Sequence, residues 1–344
     1  MTTKKEKTSR EKLREKKPRV LDKILAHEHE QIPRIQLQWR TMRGSCNFSC
    51  QHCSVHDVGN NGNPITLEDV RNLFQQADNI GISRLTISGG EPLTFNLKEL
   101  TEAIDMNLFY CQLDTNAWLL NEDKIKEIKD LRIDCIAPSL DSLNFEEHDK
   151  FRNAKGSAER VIKAFDLIQK YGFNTFVQTT CGKTRLYSKE FIEFIEYFNN
   201  RDIGVFVSFY KPVGSFANYF EDLITREDLD YFEQLEKQYK LFNHLTPAYG
   251  LNENRDCVAG KNIFGVCQDG SVIPCIYHYM SIGNIKEEPF KDIYNRMQKL
   301  KIFRRNTCPM ADISDDFIQK YVVPLYDKEL PVSYKELLTE EDFD

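Results

Sequence analysis

Ile35-Gln-Leu-Gln-Trp-Arg-Thr41 alternates apolar and polar residues with period two, the pattern of a β-strand. Thr66-Leu-Glu-Asp69 then opens a helix that runs to about Ile80 and stops at Gly81. Arg84-Leu-Thr-Ile-Ser88 is a short strand ending at Gly89-Gly90. Helix spacing follows at about 95–106, 121–130, 156–171 and 188–200, and strand patterns lie near 109–115, 133–139, 173–180 and 203–210. Phe191, Phe194, Ile195 and Phe198 fall at helical spacing, so that helix packs its apolar stripe on a sheet. Six β–α repeats predict a parallel sheet, open or rolled into a barrel, with the active site at the carboxyl ends of its strands. After Thr225 the rhythm changes: a helix over about 225–240, a hairpin of Asn262–Val266 and Ser271–Cys275 turning at Gln268-Asp-Gly270, then helices near 289–300 and 314–322.

Composition narrows the classes. A chain of 344 residues has room for about two domains. The net charge of −7 argues against a general nucleic-acid binder, and no apolar run approaches the ~18 residues of a membrane span. The first 19 residues hold nine Lys/Arg and three acids around no apolar core, so they are not a secretory signal. Residues 1–32 are expected to be a charged, solvated arm, 33–224 the barrel, 225–326 a second unit and 327–344 an acidic, solubilising tail. His27-Glu-His29-Glu30 reads as a solvated helix face of that arm rather than a metal tract. Ten Cys without an export signal point to the reducing cytoplasm, where thiols bind metals or catalyse.

The loop after the first strand reads Cys46-Asn-Phe-Ser-Cys50-Gln-His-Cys53. Three thiols at this spacing can wrap one face of an iron–sulfur cluster and leave one iron open to a ligand. Zinc with His56 as fourth donor is the alternative the count allows. Cys46, Cys50 and Cys53 resemble the Cys-x3-Cys-x-aromatic-Cys signature of the radical S-adenosylmethionine (radical SAM) superfamily, with His52 at the aromatic position. That resemblance implies a 4Fe–4S cluster whose open iron chelates S-adenosylmethionine, and one-electron cleavage to a 5′-deoxyadenosyl radical that abstracts hydrogen from substrate. It also implies a partial (β/α)6 TIM-like barrel over about residues 34–215, with a reductant such as flavodoxin or ferredoxin as partner.

Other positions are similar to the family residue by residue. Gly89-Gly90-Glu91 matches its GGE motif, with Glu91 toward the amino group of the cofactor. Thr115-Asn116 matches Thr-Asn-Gly with Ala117 in place of Gly, Ser139-Leu-Asp141 matches a fourth-strand Ser-Leu-Asp, and Arg152 stands where relatives place an Arg for the cofactor carboxylate. Cys257, Gly270 and Cys275 look like the opening of the SPASM or shorter twitch extension, and Cys308 can close the site. The long SPASM run of four close Cys is absent, so one auxiliary 4Fe–4S cluster is expected, with Cys267 either a fourth ligand or a non-ligand near the turn.

Three thiols remain. By strand parity Cys111 shares a face with Thr115 and Cys135 one with Ser139, and lower-barrel packing is expected for both. Cys181 falls past the fifth strand, where it could donate hydrogen to a substrate radical or simply be a small buried residue. Tyr210, Lys211 and Gly214 also face the expected mouth as candidate contacts. The resemblance implies dehydrogenation, epimerisation or crosslinking of a small metabolite or a peptide. Peptide-modifying relatives often carry a leader-binding domain, for which the 45 residues before Cys46 are short. The close Cys-x2-Cys pair of molybdenum-cofactor cyclases is missing. A non-catalytic zinc or cluster scaffold is the reading from another class.

Overall fold

The computed structural model describes residues 9–30, 36–41, 46–55, 64–250 and 255–344, with side chains undescribed at Ser9, 26–30, 36–41, Ala248 and Gly250. His56 lies outside these residues, as do the side chains of His27 and His29. Six strands lie side by side in chain order, all parallel: β1 (Gln36–Thr41), β2 (Arg84–Gly89), β3 (Tyr110–Thr115), β4 (Cys135–Pro138), β5 (Asn174–Cys181) and β6 (Gly204–Phe209). Helices cover the outer face. They start where the sequence supplies caps: Thr66 and Asp69 form a reciprocal capping box, and Asn121 and Ser188 accept from the third backbone N–H of their helices. Leu85, Ile87, Leu113, Val177, Val205 and Val207 meet Phe165, Phe191, Phe194 and Phe198 in one buried core. This is the expected barrel of six β–α units.

The second unit continues the same sheet. β7 (Leu241–Phe242) pairs beyond β6, and β8 (Ile263–Val266) pairs in parallel beyond β1. β8 turns back antiparallel into β9 (Ser271–Ile273). β10 (Met280–Ser281) leads into β11 (Gly283–Asn284), which pairs with β9, and β12 (Val332–Ser333) pairs with β10. The helix expected over 314–322 is a π-turn at Ile318–Val322.

Two expectations about the termini are corrected. The described leader is not a solvated arm: Ser9–Lys16 and Pro18–Glu30 are helices, and Val20 and Leu21 are buried. Lys17 Nζ donates to Phe109 O (2.8 Å), Arg132 O (2.9 Å) and Asp134 Oδ2 (2.6 Å), while Lys23 Nζ donates to Ile82 O and Leu108 O (both 2.8 Å). The lysines thus cap carbonyls where β2, β3 and β4 begin. The acidic end is not a loose tail either: Leu337 and Leu338 pack on the core, Asp342 accepts from Tyr321 Oη, and Arg304 pairs with Asp344.

The two strand cysteines also part company. Gln112 is the register partner of Cys135, so Cys135 faces the barrel interior and Cys111 the helices.

Candidate active site

The Cys46–Cys53 loop is tied down by segments that follow neighbouring strands. Asn116 Nδ2 donates to Asn47 Oδ1 (2.8 Å), Asn153 Nδ2 to Ser49 Oγ (2.8 Å), and Ser215 N to Cys53 O (3.0 Å). Gly214, at φ 58°, backs onto this loop, and a Cβ there would stand 2.2 Å from Cys53 O. Gly214 therefore supports the cysteine loop rather than touching the cavity, which corrects its expected role. His52 lies half-buried between the loop and the helix residue Phe151. Its ring stacks on Phe151 at 4.5 Å and 13°, and burial lowers its pKa to about 3, so it is neutral.

A cavity of about 200 Å³ opens at the carboxyl ends of the strands. Cys46, Cys50 and Cys53 line one side of it, together with His52, Gly89, Gly90, Glu91, Thr115, Asn116, Ser139 and Arg152. Burial pushes the Cys46 thiol up to about 11, and burial raises Cys50 against the pull of Arg152. Such thiols stay protonated until a metal displaces the proton.

Glu91 is 1% exposed. Its carboxylate accepts from Leu93 N (3.0 Å), Thr115 Oγ1 (2.7 Å) and Asn116 N (2.7 Å). Burial still outweighs these bonds and raises its pKa to about 7. Ala117 sits at φ 58°, the left-handed region that a glycine in this place takes without strain. Arg152 hydrogen-bonds toward Cys50 and donates from Nε to Asp141 Oδ2. Asp141 does not line the cavity; it holds Arg152 from behind.

The opposite wall was mostly illegible from the sequence. It comes from Gln178 and Thr180 on β5, Phe206 and Ser208 on β6, then Lys211, His244, Tyr249, Ile276 and Tyr277. Inward parity on β5 and β6 would have found the first four. Tyr210 and Lys211 line the cavity as expected. Cys181 does not: it is buried in the core with its Sγ against Gly182 O (3.4 Å), and burial pushes its pKa up to about 12.

Cys257, Cys275 and Cys308 come together beyond Tyr277. Burial raises the thiols of Cys257 and Cys275, and neighbouring cysteines add to it: Cys308 and Cys275 act on Cys257, and Cys308 acts on Cys275. Cys267 is elsewhere. With Gly265 opposite Ile273, Cys267 and Cys275 lie at opposite ends of the hairpin, about 13 Å apart along the strand. Cys267 packs with Val55, Ile273 and Tyr279, next to Cys53. Of the two alternatives left open for Cys267, this position supports the non-ligand. Among the described residues no group of three His, Cys, Asp or Glu side chains is disposed to hold a single metal ion.

Comparison with known proteins agrees with this arrangement. Residues 42–207 match the radical SAM superfamily, and residues 257–314 match the SPASM iron–sulfur cluster-binding domain. The AdoMet-dependent heme synthase of Methanosarcina barkeri is 25% identical over 310 residues, covering 80% of this chain and 85% of that protein. The subtilosin biosynthesis protein AlbA of Bacillus subtilis is 24% identical over 261 residues, covering 73% of this chain and 57% of AlbA. The structure of Streptococcus suis SuiB bound to its precursor peptide SuiA superposes with a TM-score of 0.60 at 18% identity, covering 79% of this chain and 67% of SuiB. The chain belongs to the radical SAM superfamily and is a radical SAM enzyme with a SPASM iron–sulfur domain, with S-adenosylmethionine, its 4Fe–4S cluster and an auxiliary iron–sulfur centre as cofactors.

Proposed function

We propose that this enzyme holds its S-adenosylmethionine cluster on Cys46, Cys50 and Cys53 and acts on an unactivated C–H bond of a substrate in the adjoining cavity. The donor set fits the group: three soft thiols share one loop, beside a buried carboxylate and a buried guanidinium. When bound, the cluster and S-adenosylmethionine supply one-electron cleavage of the sulfonium and a carbon radical that removes hydrogen from substrate.

The chain's own residues bind and orient. Glu91, held by Thr115 and Asn116, accepts from the amino group of the cofactor. Arg152, held by Asp141, donates to its carboxylate. Gly89 and Gly90 let the backbone approach closely, Ser139 contributes a hydroxyl, and His52 closes the wall against water. The observation that carries this reading is that Glu91 and Arg152 line one cavity beside the three thiols, a match in charge for the two ends of an amino acid. Cys257, Cys275 and Cys308 hold the auxiliary cluster, which accepts an electron from the substrate or anchors it.

Dehydrogenation or crosslinking is favoured over epimerisation, because among the described residues no cysteine beyond the first trio lines the cavity to return a hydrogen. A small metabolite is the first substrate class. A ribosomally made peptide is the second, supported by the likeness to AlbA and SuiB. We place the enzyme in the cytoplasm, drawing electrons from a flavodoxin- or ferredoxin-type donor, away from membrane and nucleic acid. No helix among the described residues is long and apolar enough to cross a membrane.

Anaerobically reconstituted protein should carry about eight irons and form 5′-deoxyadenosine under strong reductant. Cys50→Ala should abolish that product. Colourless protein with one or two zinc ions and no cofactor turnover would support the scaffold reading instead.

A further inference from the structure

Among the described residues Lys211 is the one cationic cavity residue that the cofactor reading leaves without a task. Glu91 and Arg152 face S-adenosylmethionine, and Asp114 accepts from Gln112 Nε2 at 2.7 Å. Lys211 follows β6, is 7% exposed and lines the cavity. Its Nζ donates to Ser208 Oγ (3.1 Å) and Phe209 O (2.6 Å) and lies 4.0 Å from the centroid of the Tyr277 ring. Ser208 Oγ also meets Tyr277 Oη at 2.9 Å. Every one of these partners is neutral, and among the described residues no carboxylate pairs with this ammonium.

A buried cation with no hydrogen-bonded counter-ion is costly, and a cavity that keeps one suits an anion. Cys275 and Cys308 lie within electrostatic reach on the far side, but neither accepts a hydrogen bond from Lys211. The neutral ring of His244 and the hydroxyl of Tyr277 flank the same end of the cavity.

We propose that Lys211 is the substrate-recognition cation of this cavity and that the substrate carries a carboxylate seated against it, beside Tyr277 and His244. This rests on the cavity being the substrate site of the proposed enzyme. It places the anionic end of the substrate toward the auxiliary cysteines and the reacting carbon toward the Cys46–Cys53 loop. The carboxylate can belong to a small acid or to an acidic side chain of a peptide.

The test uses thermal unfolding of the anaerobically reconstituted holoenzyme, with sodium acetate compared against sodium chloride at equal ionic strength. Acetate should raise the Tm of wild type by about 2 °C more than chloride at concentrations well above its Kd. The difference should vanish in Lys211→Met and persist in Lys211→Arg, with iron content confirming that both fold. A second arm uses glutamate capped at both ends: stabilisation by it as well as acetate assigns a peptide side chain, and stabilisation by acetate alone a small acid. Equal acetate effects in wild type and Lys211→Met would overturn the proposal. So would a lowered midpoint potential of the auxiliary cluster in Lys211→Met with the acetate effect intact, because the cation would then serve the cluster. Wild-type 5′-deoxyadenosine formation is scored separately, so failure of the enzyme reading shows in that product and failure of this proposal in the anion effect.

Discussion

Arg152 Nε donates to Asp141 Oδ2 at 2.6 Å, and both side chains are buried. Asp141 spends its other oxygen on Thr180 N and Oγ1, both at 3.1 Å, and its own N–H donates to His148 Nδ1. Burial opposes ionisation of Asp141, yet Arg152 and the neighbouring hydrogen bonds outweigh it and hold the carboxyl well below its usual range. The guanidinium therefore reaches the cavity already aimed. Asp141→Asn removes the counter-charge and should destabilise the fold by about 3–5 kcal/mol. Where the protein still folds, it should bind S-adenosylmethionine roughly tenfold or more weakly with iron content unchanged. Urea unfolding and equilibrium dialysis measure the two effects. Wild-type affinity in Asp141→Asn would remove its positioning role.

Glu91 gives the site a pH dependence near neutrality. Its pKa is raised by burial from 4.5 to about 7. As the carboxylate is the better acceptor for the cofactor amino group, affinity should fall as pH drops below about 7, by up to tenfold per unit, and level off above it. Stability runs the other way. The folded state keeps a proton that the unfolded chain releases, so the contribution of Glu91 declines as pH rises from 4.5 through 7. Calorimetric titration of S-adenosylmethionine at pH 6, 7 and 8 checks the binding arm. Glu91→Gln should bind weakly at all three, and a flat wild-type profile would exclude Glu91 from the contact.

The hairpin separates Cys275 from Cys267, eight residues earlier in the sequence. Cys275 stands with Cys257 and Cys308, and Cys267 sits near the turn against Val55 and Tyr279. Cys275→Ala should lose about four irons and keep part of the uncoupled cofactor cleavage. Cys267→Ala should keep its full iron complement. Iron and sulfide assays on the two variants decide the matter, and equal losses would return Cys267 to the ligand set.

Gly214 offers a test of the cysteine loop that touches no ligand. At φ 58° a side chain is strained, and its Cβ would meet Cys53 O at 2.2 Å. Backbone must move, because the obstacle is a carbonyl rather than a flexible side chain. Gly214→Ala should lower Tm and lose the iron of the first cluster while keeping the auxiliary one. Cluster-specific electron paramagnetic resonance separates the two, and an unchanged spectrum would show that the loop gives way freely.

The barrel was legible because its strands and helices repeat a period: Ile35–Thr41 alternates, and Phe191, Phe194, Ile195 and Phe198 mark one helix face. The thiol side of the cavity was legible because Glu91, Thr115, Ser139 and Arg152 resemble the family's motifs in order. The far wall was not. His244, Tyr249 and Tyr277 come from segments with no sustained period, and only the pairing of β7 with β6 and β8 with β1 brings them back over the barrel. Cys181 stayed open between hydrogen donor and small buried residue because a residue at a strand end can face either the cavity or the helices, and a one-residue difference decides. Cys267 stayed open because ligand spacing ignores which end of a hairpin a residue occupies. The charged leader misled because a Lys count is the same whether the ammonium groups meet water or buried carbonyls.

Lys17 is the sharpest case of that last point. The ammonium is 3% exposed and spends its three hydrogens on two carbonyls and Asp134. Asp134 in turn accepts from Cys111 N at 2.8 Å, which links the leader to the first residues of β3 and β4. Lys17→Met strands Asp134 in a buried place and leaves two carbonyls unmet, so it should cost about 3–5 kcal/mol. Lys17→Met combined with Asp134→Asn should recover part of the loss, because the neutral amide no longer needs a counter-charge. The cavity lies at the opposite end of the strands, so cofactor affinity in the folded fraction should stay at the wild-type value. Urea unfolding of the single and double variants gives the coupling, and a loss below about 1 kcal/mol in Lys17→Met would mean that the leader rests on the barrel as a surface pair does.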